Sequence, residues 1–209
     1  MSKNAERLTE AARLEKLWSG EFGDAYVNRN RSAGNTRELF WRKMMAELDA
    51  QTLLEVGCNI GANLQWIAAC RPAGHLYGVD VNSRALNELH RNLLEVNALR
   101  ALGRQLPFRD QCFDMVFTIG VLIHQPEDTL PLVMAEIVRC SRRYVLCGEY
   151  FAEETTEVSY RGQMRALFKR NYGRIYQTLF PELRVIKRGF LGREDGWDDV
   201  TYWAFQKDE

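Results

Sequence analysis

The chain has 209 residues, of which 46% are hydrophobic and 27% are charged, a composition that predicts a soluble globular protein with one sizeable core. Its 28 basic and 28 acidic residues cancel, which weighs against nucleic acid as the main partner, because such partners usually require a basic excess. The five cysteines form no CxxC pair, so we expect reduced thiols and no metal site.

The amino-terminal segment lacks the apolar stretch of a signal peptide, and no run approaches the roughly 20 apolar residues that span a bilayer. We therefore expect a cytoplasmic protein that does not enter a membrane. No repeat or flexible linker divides the sequence, so residues 1–209 are treated as one domain. We expect a helical cap over 1–49, a core over 50–150 and an acceptor-side part over 151–209.

Hydrophobic periodicity predicts the elements in chain order. Two helices precede the core, at Ala5–Trp18 and Asn35–Leu48. Short apolar strands follow, at Thr52–Val56, His75–Val81, Leu99–Leu102, Phe113–Ile119 and Tyr144–Gly148. Helical patterns alternate with them, at Gly61–Ala69, Arg84–Val96 and Glu127–Arg139, with Ser83 as the expected cap of the second. This alternation indicates βαβ units and a mostly parallel sheet.

The last third of the chain has a different pattern. Tyr160–Tyr172 is predicted to be a helix. Arg184–Phe190 and Val200–Phe205 are predicted strands. The loop Leu191–Asp199 between them leaves no room for a crossover helix, so these strands should pair antiparallel.

A glycine-bearing turn, Gly57 to Gly61, joins the first strand to its helix. Ligands of open α/β sheets bind beyond the carboxyl ends of the strands at such turns, and an acid like Asp80, after the second strand, meets a ribose hydroxyl. A dinucleotide site would need glycine at position 59, where backbone approaches the pyrophosphate. Asn59 therefore argues against NAD or FAD and favours S-adenosylmethionine, whose ammonium Glu55 could stabilise. The alternative is that the glycines only turn a strand into a helix.

Three segments resemble the ordered motifs of class I S-adenosylmethionine-dependent methyltransferases: LLEVGCNIGANL from Leu53, LYGVDVN from Leu76, and LPFRDQCFDMVFTIGVLIH from Leu106. The resemblance covers about Gln51 to Glu149. It implies a Rossmann-like, mostly parallel seven-stranded sheet with helices on both faces and an antiparallel carboxyl-terminal strand. The cofactor-binding positions that it implies are Glu55, Gly57, Cys58, Asn59, Gly61, Asn63, Asp80, Val81, Leu102, Gly103, Thr118 and Ile119.

One position departs from that family. Leu102 stands where an acidic residue often binds the adenine amino group. The adenine amino group would then be bound either by backbone groups or by another residue, such as Asp110.

The segments at Leu17–Asn30 and Gly148–Arg170 resemble methyltransferases associated with pseudaminic acid and related surface-sugar gene sets. This closer resemblance spans nearly the whole chain. It implies a small polar acceptor without fixing its identity, and we expect an anionic one, such as a sugar or a carboxylate-bearing metabolite.

Trp18, Phe22 and Tyr26 recur every four residues, which places them on one face of a helix. We interpret this face as a lid over the cofactor, with Tyr26 in contact with it and Arg29 binding its methionine carboxylate. Core packing of an amino-terminal helix is the alternative.

Arg161, Arg165 and Lys169 also repeat every four residues. Together with Tyr160, this stripe of cations could bind an anionic acceptor. The alternative is a solvated helix face.

His124 follows the fourth strand, where the family places the transferring methyl group, and we predict that it is the general base for a hydroxyl or amine acceptor. A histidine that packs on the cofactor or caps a helix is the alternative. Glu149 ends the fifth strand and is a second candidate base or acceptor ligand, or else a buried partner for an arginine.

Together these features predict methyl transfer to a small molecule rather than to protein or nucleic acid, with the protein mainly positioning the reactants. The competing functions are a non-catalytic S-adenosylmethionine-binding module and an NAD-dependent oxidoreductase. The sequence does not choose among oxygen, nitrogen and carbon acceptors, nor does it give an oligomeric state.

Overall fold

The computed structural model describes residues 3–31, 36–71 and 75–208. The α-helices are α1 Lys3–Ser19, α2 Glu21–Arg29, α3 Glu38–Glu47, α4 Leu64–Ala68, α5 Ser83–Asn92, α6 Leu130–Cys140 and α7 Tyr172–Leu179. The strands are β1 Leu53–Val56, β2 Leu76–Asp80, β3 Asn97–Arg100, β4 Phe113–Ile119, β5 Ser141–Glu149, β6 Thr156–Glu157, β7 Phe168–Lys169, β8 Leu183–Leu191 and β9 Val200–Lys207. Short 3₁₀ helices occur at Leu122–His124 and Arg193–Asp195.

Seven of these strands form one sheet in the order β3-β2-β1-β4-β5-β9-β8. The first five run parallel, and β9 is antiparallel to both β5 and β8. This confirms the predicted mostly parallel seven-stranded sheet and its antiparallel ending. The strand order changes direction between β1 and β4, which is the point where open α/β sheets leave a crevice for a ligand.

The sheet carries a buried apolar layer on each face. Leu54 and Val56 pack with residues of α6 and α7 on one face, whereas Leu53 packs with residues of α3, α4 and α5 on the other. Alternate residues of a strand point to opposite faces, so helices on both sides explain why all four residues of β1 are buried. Among the described residues, no helix combines the length and apolarity required to cross a membrane.

The cap of α5 differs from the prediction. Asn82, not Ser83, is the capping residue, because its side-chain oxygen accepts the backbone N–H of Ala85 at 2.9 Å. Ser83 is the first residue inside the helix. The predicted start of the helix before the core, Asn35, lies outside the described residues.

The predicted helix over Tyr160–Tyr172 is wrong. Arg161 and Arg165 have left-handed backbone with φ of 51° and 53°, which interrupts any α-helix. Phe168–Lys169 instead pairs antiparallel with Thr156–Glu157, and a helix begins only at Tyr172. Three successive residues, 166–168, are buried, a pattern that one face of a helix cannot produce.

Candidate active site

A cavity of about 440 Å³ opens at the carboxyl ends of β1, β2 and β4. Its floor is the turn after β1 together with the loops that follow β2, β3 and β4. Its cover comes from α1 and α2, from the segment around Tyr160 and from the loop around Trp197. The site predicted from the glycine turn therefore coincides with the crevice of the sheet.

The two glycines of the turn after β1 have different surroundings: Gly57 lines the cavity, and Gly61 packs inside the protein. Gly57 lines the cavity with φ of 79°, and a Cβ there would collide with the side chain of Val121. Gly61 also has positive φ, at 83°, but a Cβ would meet Leu93 at 2.6 Å, and this residue does not line the cavity. The ligand contact of Gly61 stays a prediction, and in this structure its backbone freedom serves the packing of the turn on α5 and the residue that follows it.

Asp80 lies at the end of β2 as predicted, with Val81 beside it in the cavity wall. Its Oδ2 accepts the backbone N–H of Asn59 at 2.9 Å, and its Oδ1 accepts that of Asn82 at 2.8 Å. Burial raises the pKa of Asp80, while these backbone donors oppose the rise. Each oxygen keeps a further lone pair, so the fixed carboxyl group can accept two neighbouring hydroxyl groups of a ribose.

Glu55 presents an unsatisfied oxygen in the cavity wall. Its Oε1 accepts the side-chain N–H of Asn63 at 2.6 Å, whereas its Oε2 is buried and has no hydrogen-bond partner among the described residues. Burial raises the pKa of Glu55 to about 8. A buried carboxyl oxygen without a donor is costly, and a ligand ammonium would supply both the donor and the opposite charge.

Arg37 completes this polar group, and the sequence analysis missed it. Its Nη1 donates to Asn63 Oδ1 at 3.0 Å, and its guanidinium lies 4.4 Å from the ring centroid of Trp197. Burial lowers the pKa of Arg37, whereas the neighbouring Glu55 raises it. Arg37 precedes the apolar face of α3, so helical periodicity gives no signal for it.

The loop after β3 supplies the remaining predicted cofactor contacts. Leu102 and Gly103 both line the cavity. The Leu102 carbonyl accepts the backbone N–H of Gln105 at 3.0 Å. Asp110, the suggested substitute for an adenine-binding acid, is exposed, does not line the cavity and is paired with Arg139 at 2.8 Å. That suggestion is wrong, and backbone groups of 102–103 are the remaining candidates.

Ile119 lines the cavity, but Thr118 and Glu149 do not. Glu149 is completely buried: its Oε1 accepts the Thr118 hydroxyl at 3.1 Å, and its two oxygens accept the backbone N–H groups of residues 121, 122 and 123 at 3.1 to 3.3 Å. Burial raises the pKa of Glu149 to about 7. Neither side chain faces the cavity, so this geometry gives no support to the predicted cofactor contact of Thr118 or to the predicted role of Glu149 on the acceptor. Both residues instead fix the turn that carries His124.

His124 lies in the cavity wall with a defined tautomer. A carbonyl oxygen can only accept, so the 2.5 Å contact to the Ala166 carbonyl places the proton on Nδ1 and leaves Nε2 as the basic nitrogen. Burial lowers the pKa of His124 to about 4, so the ring is neutral near pH 7. Its ring centroid lies 4.4 Å from that of Trp18 and 5.3 Å from that of Tyr160. A neutral, oriented imidazole is suited to accept a proton.

The aromatic residues of the amino-terminal helices lie over the cavity. Trp18 contacts Phe22 and Tyr26 edge-on, with ring centroids 5.3 Å apart in both pairs, and Trp18 and Tyr26 line the cavity. The helix is interrupted at Gly20, between α1 and α2, so the aromatic face is formed by residues of two helices. The ion pair of Glu15 with Arg104, at 2.6 Å, joins this cap to the core.

The cations predicted to share one helical stripe are separated. Tyr160 and Arg161 line the cavity, but Arg165 does not; the Arg165 backbone N–H donates to Glu157 at 2.7 Å. Lys169 lies in β7. The common acceptor-binding stripe, and the role of Arg165 in it, are therefore wrong. Within the described residues, no group of His, Cys, Asp and Glu has an arrangement that could hold a metal ion.

Comparison with known families agrees with this geometry. A model of the family described as a methyltransferase domain matches residues 53–143, from β1 into β5. The match covers the glycine turn, Asp80 and His124. It supports the predicted methyltransferase domain.

Two curated relatives match parts of the chain. An uncharacterised protein of Haemophilus influenzae is 34% identical over 95 residues, which are 42% of this chain and 37% of the relative. The O-methyltransferase rstn1 of Aspergillus nomiae is 28% identical over 118 residues, 53% of this chain and 51% of the relative. The chain thus spans about half or less of the length of these curated relatives.

Solved structures show the fold over a longer stretch. The 1,6-didemethyltoxoflavin-N1-methyltransferase of Burkholderia thailandensis, a structure with bound 1,6-didemethyltoxoflavin and S-adenosylhomocysteine, superposes with a TM-score of 0.71 at 12% identity, over 100% of this chain and 92% of that chain. The Rossmann-like methyltransferase fold is therefore confirmed. The closer resemblance to methyltransferases of surface-sugar gene sets stays a prediction.

Proposed function

We propose that this protein is an S-adenosylmethionine-dependent methyltransferase that acts on a small polar acceptor. One observation carries the proposal: a single cavity combines the Asp80 carboxyl group with the unpartnered Glu55 Oε2 and the half-buried guanidinium of Arg37. The first suits a ribose, and the other two suit the ammonium and carboxylate of an amino acid. S-adenosylmethionine joins these two parts, whereas NAD has no amino acid part.

Different residues of the cavity bind different parts of the cofactor. Asp80 binds the ribose, backbone groups around Leu102 and Gly103 contact the adenine, and Glu55 with Arg37 holds the methionine end. Arg37 therefore takes the role that the sequence suggested for Arg29. The turn residues Gly57, Cys58 and Asn59, with Asn63 behind them, shape the surface beneath the sulfur.

The bound sulfonium supplies an activated methyl group, so the protein needs chiefly to position the acceptor and to exclude water. The aromatic cap of Trp18 and Tyr26 covers the cavity on the side of His124. For an acceptor with a hydroxyl or amine, Nε2 of His124 receives the proton that leaves the attacking atom. Glu149 and Ala166 are positioning groups for this imidazole.

The acceptor that we propose is a sugar or a carboxylate-bearing metabolite. A cavity of about 440 Å³ beneath a helical cap has the size typical of small-molecule sites. The methyltransferase of Burkholderia thailandensis binds the small molecule 1,6-didemethyltoxoflavin, which supports a small-molecule acceptor on this fold. The sequence resemblance at both ends of the chain favours a sugar.

The proposal is tested first by titration calorimetry with S-adenosylhomocysteine and with NAD. We expect micromolar binding of the first and none of the second. Absence of S-adenosylhomocysteine binding would overturn the proposal.

A panel of neutral sugars, acidic sugars, nucleotide sugars and small carboxylates, followed by release of S-adenosylhomocysteine, then tests for turnover. Cofactor binding without turnover on any member of the panel would favour the non-catalytic binding module.

A further inference from the structure

Two arginines at the mouth of the cavity have no role in the cofactor site described above. Arg29, at the end of α2, and Arg161, in the turn after β6, both line the cavity and are both exposed. Neither forms an ion pair with a carboxylate among the described residues, where fourteen other pairs of opposite charge occur. Their charges are therefore available to a ligand.

Aromatic rings hold the two guanidinium groups on one wall. Arg29 Cζ lies 5.8 Å from the ring centroid of Phe22, and Arg161 Cζ lies 6.0 Å from that of Tyr160. The rings of Phe22 and Tyr160 are themselves neighbours, with centroids 6.0 Å apart. Stacking on rings orients a guanidinium without consuming its hydrogen-bond donors.

This wall continues to the general base. Tyr160 lies between Arg161 and His124, and the centroid distance from Tyr160 to His124 is 5.3 Å. A molecule of the size of a sugar can therefore place its reacting atom at His124 while another of its groups reaches the two arginines.

The other charges of the cavity do not compensate the two arginines. Glu15 is paired with Arg104, and the Asp80 carboxyl group is bound by backbone N–H groups. Asp198, a further carboxylate in the cavity wall, acts electrostatically on Arg37 and forms no ion pair with Arg29 or Arg161. The mouth formed by α2 and the turn after β6 thus has an excess of positive charge, which attracts anions.

We propose that Arg29 and Arg161 form an anion clamp that binds a carboxylate or phosphate group of the acceptor at a distance from its methylated atom. This proposal rests on the proposed function, because the anion belongs to the acceptor of the methyl transfer. Guanidinium groups bind either anion through paired N–H donors.

The chain contains a matched control. Arg161 and Arg165 are both exposed, and both have left-handed backbone with nearly equal φ, so an alanine at either position carries the same backbone strain. Only Arg161 lines the cavity; Arg165 lies on the side of Glu10. A difference between the two alanine variants therefore reports on the clamp and not on folding.

The experiment titrates inorganic pyrophosphate and, separately, malonate into protein saturated with S-adenosylhomocysteine, at constant ionic strength. We expect binding of at least one anion to the unmodified protein, at least tenfold weaker binding to Arg29→Ala and Arg161→Ala, and a change of less than twofold in Arg165→Ala. Preference for pyrophosphate or for malonate distinguishes a phosphorylated from a carboxylated acceptor. Arg161→Lys, which keeps the charge and loses the planar fork, should bind with intermediate strength.

Three results would overturn the clamp: no binding of either anion, equal losses in Arg161→Ala and Arg165→Ala, or a selective loss of S-adenosylhomocysteine in Arg29→Ala. The nucleoside is titrated first in every sample. If it does not bind, the proposed function fails, and the anions are then titrated into the free protein, where the same comparison of variants decides the clamp separately.

Discussion

The assignment of Arg37 to the amino acid end of the cofactor makes a prediction that separates it from Arg29. In Arg37→Ala the guanidinium is lost, but Asn63 Oδ1 still accepts the indole N–H of Trp41 at 3.2 Å. The polar group around Glu55 therefore keeps its internal hydrogen bonds. The main consequence should be the loss of a charged donor for the ligand carboxylate.

The magnitude follows from the contacts of the guanidinium. Its Nη1 is used by Asn63, and its Nε donates to the Gly196 carbonyl at 3.4 Å, whereas Nη2 has no hydrogen bond to any described residue. One charged hydrogen bond is worth about 1.5–3 kcal/mol. At 1.4 kcal/mol for each factor of ten, Arg37→Ala should weaken S-adenosylhomocysteine binding by about 10- to 100-fold.

The assay compares two ligands by titration calorimetry. S-adenosylhomocysteine carries the amino acid end, and 5′-methylthioadenosine lacks it but keeps the ribose, the adenine and the thioether. Arg37→Ala should weaken only the first, whereas Asp80→Asn should weaken both. Thermal denaturation of the free variants controls for the lost stacking on Trp197.

The reasoning is refuted by either of two results. Equal loss of both ligands in Arg37→Ala would mean that the guanidinium supports the whole cavity. A loss confined to S-adenosylhomocysteine in Arg29→Ala, with Arg37→Ala unchanged, would return the carboxylate to Arg29, as the sequence suggested.

Four further predictions concern the base and the loops around it. His124→Gln should reduce turnover by about 10²–10⁴-fold with little change in nucleoside affinity; comparable losses in both would make the residue a binding group. Because the folded-state pKa of His124 is about 4, below its ordinary value of 6.5, only the unfolded chain takes up this proton between those pH values. The free energy of unfolding in urea, taken as wild type minus His124→Gln, should therefore rise with pH across that window. A difference that does not change with pH would contradict the burial of His124. Glu149→Gln replaces a carboxylate that accepts four hydrogen bonds by an amide with one acceptor oxygen, so the free energy of unfolding in urea should fall by about 1–3 kcal/mol. Turnover should also fall, without a change in S-adenosylhomocysteine binding. Unchanged stability would count against the positioning role. Gly57→Ala should lose more stability and more nucleoside affinity than Gly120→Ala, since both have positive φ but only the first Cβ meets another side chain, and equal losses would show that backbone strain alone matters.

Local sequence signals were sufficient for the parallel core. Strands buried on both faces are continuous apolar runs, and β1, β2, β4 and β5 were therefore found close to their observed bounds. The Gly57 turn and Asp80 were found for a related reason. Each lies at the end of a strand, where the fold places a ligand. Each is also a residue type that the position requires: a glycine for the turn and a carboxylate for a ribose.

Periodicity was insufficient where more than one structure fits the same spacing. Cations at 161, 165 and 169 satisfy a helical repeat, but the burial of three successive residues, 166–168, and left-handed backbone at Arg161 and Arg165 favour a turn and a short strand. Only the packed structure decides that Arg161 faces the cavity and Arg165 does not.

The sequence by itself determined the sheet, the glycine turn and the acid that follows β2, because each depends on residues close together in the chain. Only the tertiary structure leads to the roles that we propose for Arg37 and Glu149. Both act through hydrogen bonds across 26 residues of sequence, to Asn63 and to Ile123. A charged side chain has no preferred partner until folding fixes which donors and acceptors are buried beside it, so its role cannot be obtained from local pattern.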